Sequence, residues 1–253
     1  MKYYKTSEIA ELVCVHPNTV RLYEKWKLLQ PVPRNCKGYR LYTEDHLEQM
    51  RLARIALRCN FIEGNIRNLA TDIVKTGAQG DLQKALNMAY DYRIHIQKEL
   101  TKAEEALEII YKWLKDEVTV GEETYMKRKD VANLLNISID VLRDWERNGL
   151  IKVPRSPNNN YRMYGAYEIR RLKVIRTLRN ANYSMMSILR MFKYIDEGKV
   201  SDVKEIIDTP SLEEDIISAT DRWITTLIET IENAEEVIVQ LEMMIESKEP
   251  RIP

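Results

Sequence analysis

The chain has 253 residues, a formal net charge of zero, 44% hydrophobic and 31% charged residues, and only eight Gly and eight Pro. That length allows two small domains with real cores, and the Leu-, Ile-, Glu-, Lys- and Arg-rich palette excludes a β-sandwich or a low-complexity chain in favour of a mainly α protein. No apolar run reaches the roughly 18–20 residues of a membrane span, and Met1–Lys5 lacks the apolar core of a signal peptide, so a cytoplasmic protein is expected.

The first predicted element is a short helix over 7–12, followed by a connector at Val15-His16. Pro17 suits the first turn of a second helix, Asn18–Lys27, with Val20 and Leu28 inward and Arg21, Lys25 and Lys27 outward. Two short helices about a tight turn make a helix-turn-helix, whose second helix usually enters the major groove. A breaker-rich loop, Pro31–Gly38, runs into the alternating, strand-like Tyr39-Arg40-Leu41-Tyr42, which predicts a hairpin wing. Thr43 caps a helix over Glu44–Cys59, and Phe61, Ile66 and Leu69 close the core from a fourth helix. Cys14, among Leu12, Val13 and Val15, reads as a small buried hydrophobe. Three isolated cysteines without a Cys-x-x-Cys pair suit a reducing compartment.

Next, Leu82, Ala89, Ile96, Ala103 and Ile110 recur every seven residues. Leu86, Leu100, Leu107 and Leu114 form a second register that Arg93 interrupts. This predicts a long helix capped by Asp81.

The chain then repeats itself: shifted by 122 positions, Tyr3–Leu69 lies on Tyr125–Met191 without a gap. The second copy predicts helices over Lys129–Leu135 and Ile139–Asn148, capped by Ser138 and ended by Gly149. A loop over Pro154–Asn160, a wing strand at Tyr161–Tyr164 and a helix over Glu168–Asn180 follow, with Tyr183, Ile188 and Met191 closing the head. A second long helix of about 35 residues, capped by Ser211, carries Ile217, Ile224, Ile231, Ile238 and Ile245 at heptad spacing, with Leu227, Ala234 and Leu241 offset by three.

The predicted organisation is two heads, 1–76 and 122–199, each followed by a long coiled-coil helix, 77–121 and 200–253. Charge follows it: residues 1–76 carry a balance of +5 and 125–200 of +9, against −4 for 77–124 and −10 for 201–253. Basic heads with acidic shafts suit a polyanionic partner. The shafts need partners for their apolar seams. Antiparallel pairing inside one chain, a pseudo-dimeric monomer, is preferred over a homodimer paired shaft to shaft.

Val20-Arg21-Leu22-Tyr23-Glu24, Leu28 and Gly38-Tyr39-Arg40-Leu41-Tyr42 resemble the signature of the MerR family. So do Leu142-Arg143-Asp144-Trp145-Glu146, Gly149-Leu150 and Tyr161-Arg162-Met163-Tyr164. The resemblance implies winged helix-turn-helix heads that bind a pseudo-palindromic double-stranded operator and distort promoter DNA, with RNA polymerase nearby. Family members are similar in carrying one head and one shaft per chain, and this chain departs by holding two. Lys27 stands where the pattern has glycine, and Trp145 where it has tyrosine.

On this reading the DNA-contacting candidates of the first head are Thr6, His16, Asn18, Thr19, Arg21, Tyr23, Lys25, Arg34, Tyr39 and Arg40. Those of the second are Ser138, Asp140, Arg143, Trp145, Arg155, Tyr161 and Arg162. Arg21 and Arg143 suit phosphate and guanine, with ion pairs to Glu24 and Glu146 as the alternative. Tyr23 and Trp145 either touch sugar-phosphate or fill the gap beneath the wing. Tyr42 and Tyr164 read as core.

No metal or cofactor site is expected. Three histidines (His16, His46, His95) have no spacing that pairs them with cysteines, and residues 77–90 and 246–253, where metal-sensing relatives keep cysteines, contain none. The chain's end at Pro253 predicts no appended ligand domain. A small-molecule effector bound near Tyr90, Tyr92, Tyr111, Trp113 or Trp223, or an architectural DNA-bending role, are the other readings. No phosphate loop, Gly-x-Ser-x-Gly or His-Glu-x-x-His motif is present, and no enzymatic activity is expected.

Overall fold

A computed structural model of the chain describes residues 2–58, 65–115, 125–199, 202–210 and 219–248. Cys59, Phe61, Ser211 and Ile217 lie outside the described residues. The described chain is helical: α1 (Thr6–Leu12), α2 (Pro17–Lys25), α3 (Glu44–Ala56), α4 (Asn65–Ala78), α5 (Leu82–Lys115), α6 (Arg128–Leu135), α7 (Ile139–Arg147), α8 (Ala166–Asn180), α9 (Met185–Asp196), α10 (Val203–Asp208) and α11 (Trp223–Glu246). The predicted wing strands appear as isolated antiparallel bridges: Tyr4 with Tyr42 and Arg34 with Arg40, then Met126 with Tyr164 and Arg155 with Arg162. No helix of the described residues is long and apolar enough to cross a membrane.

Two compact units form: residues 1–98 with 227–253, and residues 99–226. In the first unit, Ile9, Val20, Leu28, Tyr42, Met50, Leu52 and Ile73 are fully buried around the contacts of α1 with α2 and of α3 with α4. Asp81 caps α5 as expected, its carboxylate accepting from the Lys84 amide at 3.0 Å. The end of α11 packs on the head. Asn233 Nδ2 donates to the Ile55 carbonyl (2.8 Å), Gln240 Nε2 to Glu48 (2.7 Å), and Arg58 grips Glu236 with two nitrogens. Tyr90 Oη donates to Glu242 at 2.8 Å and Arg93 faces Glu235 at 3.7 Å, so here the start of α5 runs antiparallel to the end of α11.

In the second unit the head core is Val131, Leu135, Leu150, Tyr164, Leu172, Tyr183, Ile188 and Met191. It rests on the latter part of α5: Tyr183 Oη donates to the Ala103 carbonyl at 3.3 Å and Asn182 Nδ2 to Glu99 at 2.8 Å. Helix α10 has no counterpart in the sequence prediction. Asp202 caps it, and buried Arg190 binds the Ile206 and Ile207 carbonyls near its end and that of Asp221. The second long helix is shorter than predicted. It begins at Trp223 after a 3-10 turn, Ala219–Arg222, with the Asp208 carboxylate accepting from the amides of Ile224 and Thr225. In each unit, then, a head meets the long helix that follows the other repeat.

Helix ends explain one mistaken expectation. Cys14 is exposed, not buried. It sits at φ +51 just past α1, where the Cys14 amide reaches the Glu11 carbonyl and the Val15 amide reaches Ala10. Such a left-handed closing residue turns its side chain away from the helix face that packs. Asn136, at φ +49, closes α6 in the same way.

Candidate nucleic-acid interface

Each recognition helix is set by its first residues. In α2, Pro17 takes the first position and His16 is the cap, its Nδ1 accepting from the Asn18 amide at 3.2 Å. In α7, the Ser138 hydroxyl accepts from the Val141 amide at 3.1 Å. The exposed guanidinium of Arg21 then folds back one turn to Asn18 Oδ1 (2.5 Å), and that of Arg143 to Asp140 (2.8 Å). These local partners replace the predicted alternatives, Glu24 and Glu146.

Those two glutamates instead hold the wings. Arg40 Nε lies 2.5 Å from Glu24, and Arg162 Nε lies 2.5 Å from Glu146. Arg34 approaches Glu24 at 3.9 Å, and Arg128 reaches Glu146 at 3.3 Å. Each pair is about a quarter exposed and ties the wing to the recognition helix. The sequence reading missed this lock and Arg128's part in it; the signal was a Glu–Arg pair sixteen residues apart in both copies.

At the wing tips, Arg34 donates to the Gly38 carbonyl (3.1 Å) and Arg155 to the Asn160 carbonyl (3.3 Å). Gly38 and Asn160 both have positive φ, +81 and +59, which turns the chain so that Tyr39 and Tyr161 stand 69% and 72% exposed. The 122-residue shift misplaces this loop by one residue. Leu41 pairs with Pro33 and Met163 with Pro154, so Arg34 corresponds to Arg155, and the second wing turn is one residue longer.

Among the other candidates, Lys25 is exposed on α2, while Thr6 and Thr19 are half-buried. Tyr23 and Trp145 are 9% and 5% exposed. They follow Val20 and Leu142 by three residues, on the helix face that packs. Burial pushes the Tyr23 phenol up. Tyr42 and Tyr164 are fully buried, as expected. Among the described residues no three His, Cys, Asp or Glu side chains gather in a way that could hold a metal.

Each head thus presents an exposed arginine on a recognition helix and an exposed tyrosine on a wing locked to it, side chains that suit phosphate oxygens and base edges. The model of the MerR HTH family regulatory proteins matches residues 4–70 and 126–195, together more than half the chain. The HTH-type transcriptional regulator ZntR of Escherichia coli (strain K12) is 36% identical over 66 residues, 26% of this chain and 47% of the relative. A probable heavy metal-dependent transcriptional regulator of Haemophilus influenzae is 29% identical over 119 residues, 46% of this chain and 83% of the relative. The regulator CueR of Yersinia pestis is 35% identical over 63 residues, 25% and 45% of the two chains. The chain spans about half the length of ZntR and CueR. No solved structure matches it. With the family's domain found twice, once over each head, the chain belongs to the MerR HTH family of regulatory proteins.

Proposed function

We propose that this chain is a sequence-specific, double-stranded DNA-binding transcriptional regulator whose two linked heads take the two halves of one pseudo-palindromic site and distort the promoter between them. The observation that carries the reading is the duplicated constellation: an exposed arginine one turn into each recognition helix, and an exposed tyrosine on a wing fastened to that helix by an Arg–Glu pair. Thr6, His16, Asn18, Thr19, Arg21, Lys25, Arg34, Tyr39 and Arg40 form the first contact surface. Ser138, Asp140, Arg143, Arg155, Tyr161 and Arg162 form the second. Contacts at both halves would offset a duplex deformation of about 1–6 kcal/mol. The shafts, paired as an antiparallel coiled coil within one chain, would hold the heads as a brace. The expected setting is a cytoplasmic promoter, with RNA polymerase adjacent.

A circularly permuted set of duplexes carrying a selected site tests the mechanism. Mobility that varies with the position of the site supports distortion, and uniform mobility rules it out.

A further inference from the structure

The two recognition helices differ at the residue that holds the arginine. In α2, the neutral amide of Asn18 accepts from Arg21 at 2.5 Å. In α7, the matching residue is Asp140, whose carboxylate, 83% exposed, pairs with Arg143 at 2.8 Å. Each pair sits at the same step of its helix: a second residue followed three later by the arginine. The surroundings match as well, with a capped helix start and a wing tied to the glutamate three residues beyond the arginine. The amide-for-carboxylate exchange therefore stands in a shared frame.

We infer that the two heads read different bases, so that the site has a direction: the Asn18 head takes adenine where the Asp140 head takes cytosine. The inference rests on the DNA-binding reading above. An amide carries a donor and an acceptor side by side, which matches adenine N6 and N7 in the major groove. An ionised carboxylate only accepts. It repels guanine O6 and N7 and thymine O4 and meets a donor only at the exocyclic amines. Beside adenine N6 lies the N7 acceptor, which opposes the second carboxylate oxygen. Beside cytosine N4 lies a C–H, which does not.

Charge gives a second consequence. The Arg21–Asn18 pair carries +1 and the Arg143–Asp140 pair carries zero, so the second head holds the polyanion less strongly at this point.

The test uses the full chain and a duplex pool with both half-sites randomised, selected by the unaltered protein, by Asn18→Asp and by Asp140→Asn. Binding to recovered sites is then measured against salt. The unaltered protein should recover adenine in one half and cytosine at the mirror position of the other. Asp140→Asn should turn that cytosine to adenine in its own half alone, prefer the doubly adenine site by roughly 5- to 100-fold, and steepen the salt slope by about 0.9. Asn18→Asp should do the reverse in the other half. The same base at both mirror positions, or an Asp140→Asn selection identical to that of the unaltered protein, overturns the inference and leaves DNA binding standing. If no duplex is enriched over the Arg21→Ala, Arg143→Ala double variant, the DNA-binding reading itself falls.

Discussion

At the scale of single residues, Lys27 is the clearest liability. It ends α2 at φ +60 in the turn where Gly149 ends α7 at φ +78, and both turns close with the same pair of backbone bonds. A left-handed conformation costs a side-chain-bearing residue about 1–2 kcal/mol, so Lys27→Gly should stabilise the first unit by about 1 kcal/mol in urea unfolding. Gly149→Ala should destabilise the second by a similar amount. An added Cβ there would meet only Leu189, at 4.0 Å, so the loss would come from φ rather than from a clash. The departure from the glycine pattern was legible in the chain; that the backbone keeps the glycine conformation was not, because composition says nothing about φ.

His46, buried beneath the wing, carries a pH prediction. Its Nδ1 accepts from the Thr43 amide at 3.0 Å, which requires the neutral ring, and burial lowers its pKa from the ordinary 6.5. A lowered folded-state pKa means that the unfolded chain binds the proton more tightly. The contribution is whole above pH 6.5 and is lost as pH falls through the lower folded value. The melting temperature of the first unit should therefore drop between pH 7 and 5, and His46→Gln should flatten that drop.

Among the elements, Asn233 shows how a shaft becomes part of a head. Its amide donates to the carbonyl of Ile55, in the last turn of α3, which also accepts from the Arg58 amide at 3.1 Å. Asn233→Ala would remove one of the two bonds to that carbonyl and should cost about 0.5–1.5 kcal/mol; Asn233→Asp, which sets an anion against the carbonyl, should cost more. A melting curve of each variant decides between this and a passive contact. Helix starts and stops were legible where a capping residue or glycine marked them: Asp81, Ser138, Gly149. The wing lock and the cap on α11 were not, because Glu24–Arg40 spans sixteen residues and Asp208 caps from sixteen residues upstream. Periodicity sees neighbours along one helix, and these bonds join separate elements. The heptads marked most of the buried positions, though Leu114 is exposed and Ile231 and Ile245 are half-buried, and they did not show that Asn233 and Gln240 would be buried to bond the first head.

For the whole molecule the consequence of carrying two heads is stoichiometric. If one chain takes both halves of a site, the second half binds at the high local concentration that the tether sets. Solution mass should then give one chain per duplex. Arg21→Ala and Arg143→Ala should each weaken binding, and because the two arginines share no contact partner their losses should add in free energy when combined. Arg21→Ala removes a guanidinium held only by a neutral amide, whereas Arg143→Ala leaves the Asp140 carboxylate uncompensated beside the phosphates. The second substitution should therefore cause the larger loss, and on a duplex with adenine in both halves Asp140→Asn should restore part of it. Fluorescence anisotropy on a single-site duplex measures all four variants. An Arg143→Ala protein that binds as tightly as the original would show that only one head touches DNA, and a mass of two chains per duplex would replace the tethered pair with an ordinary dimer.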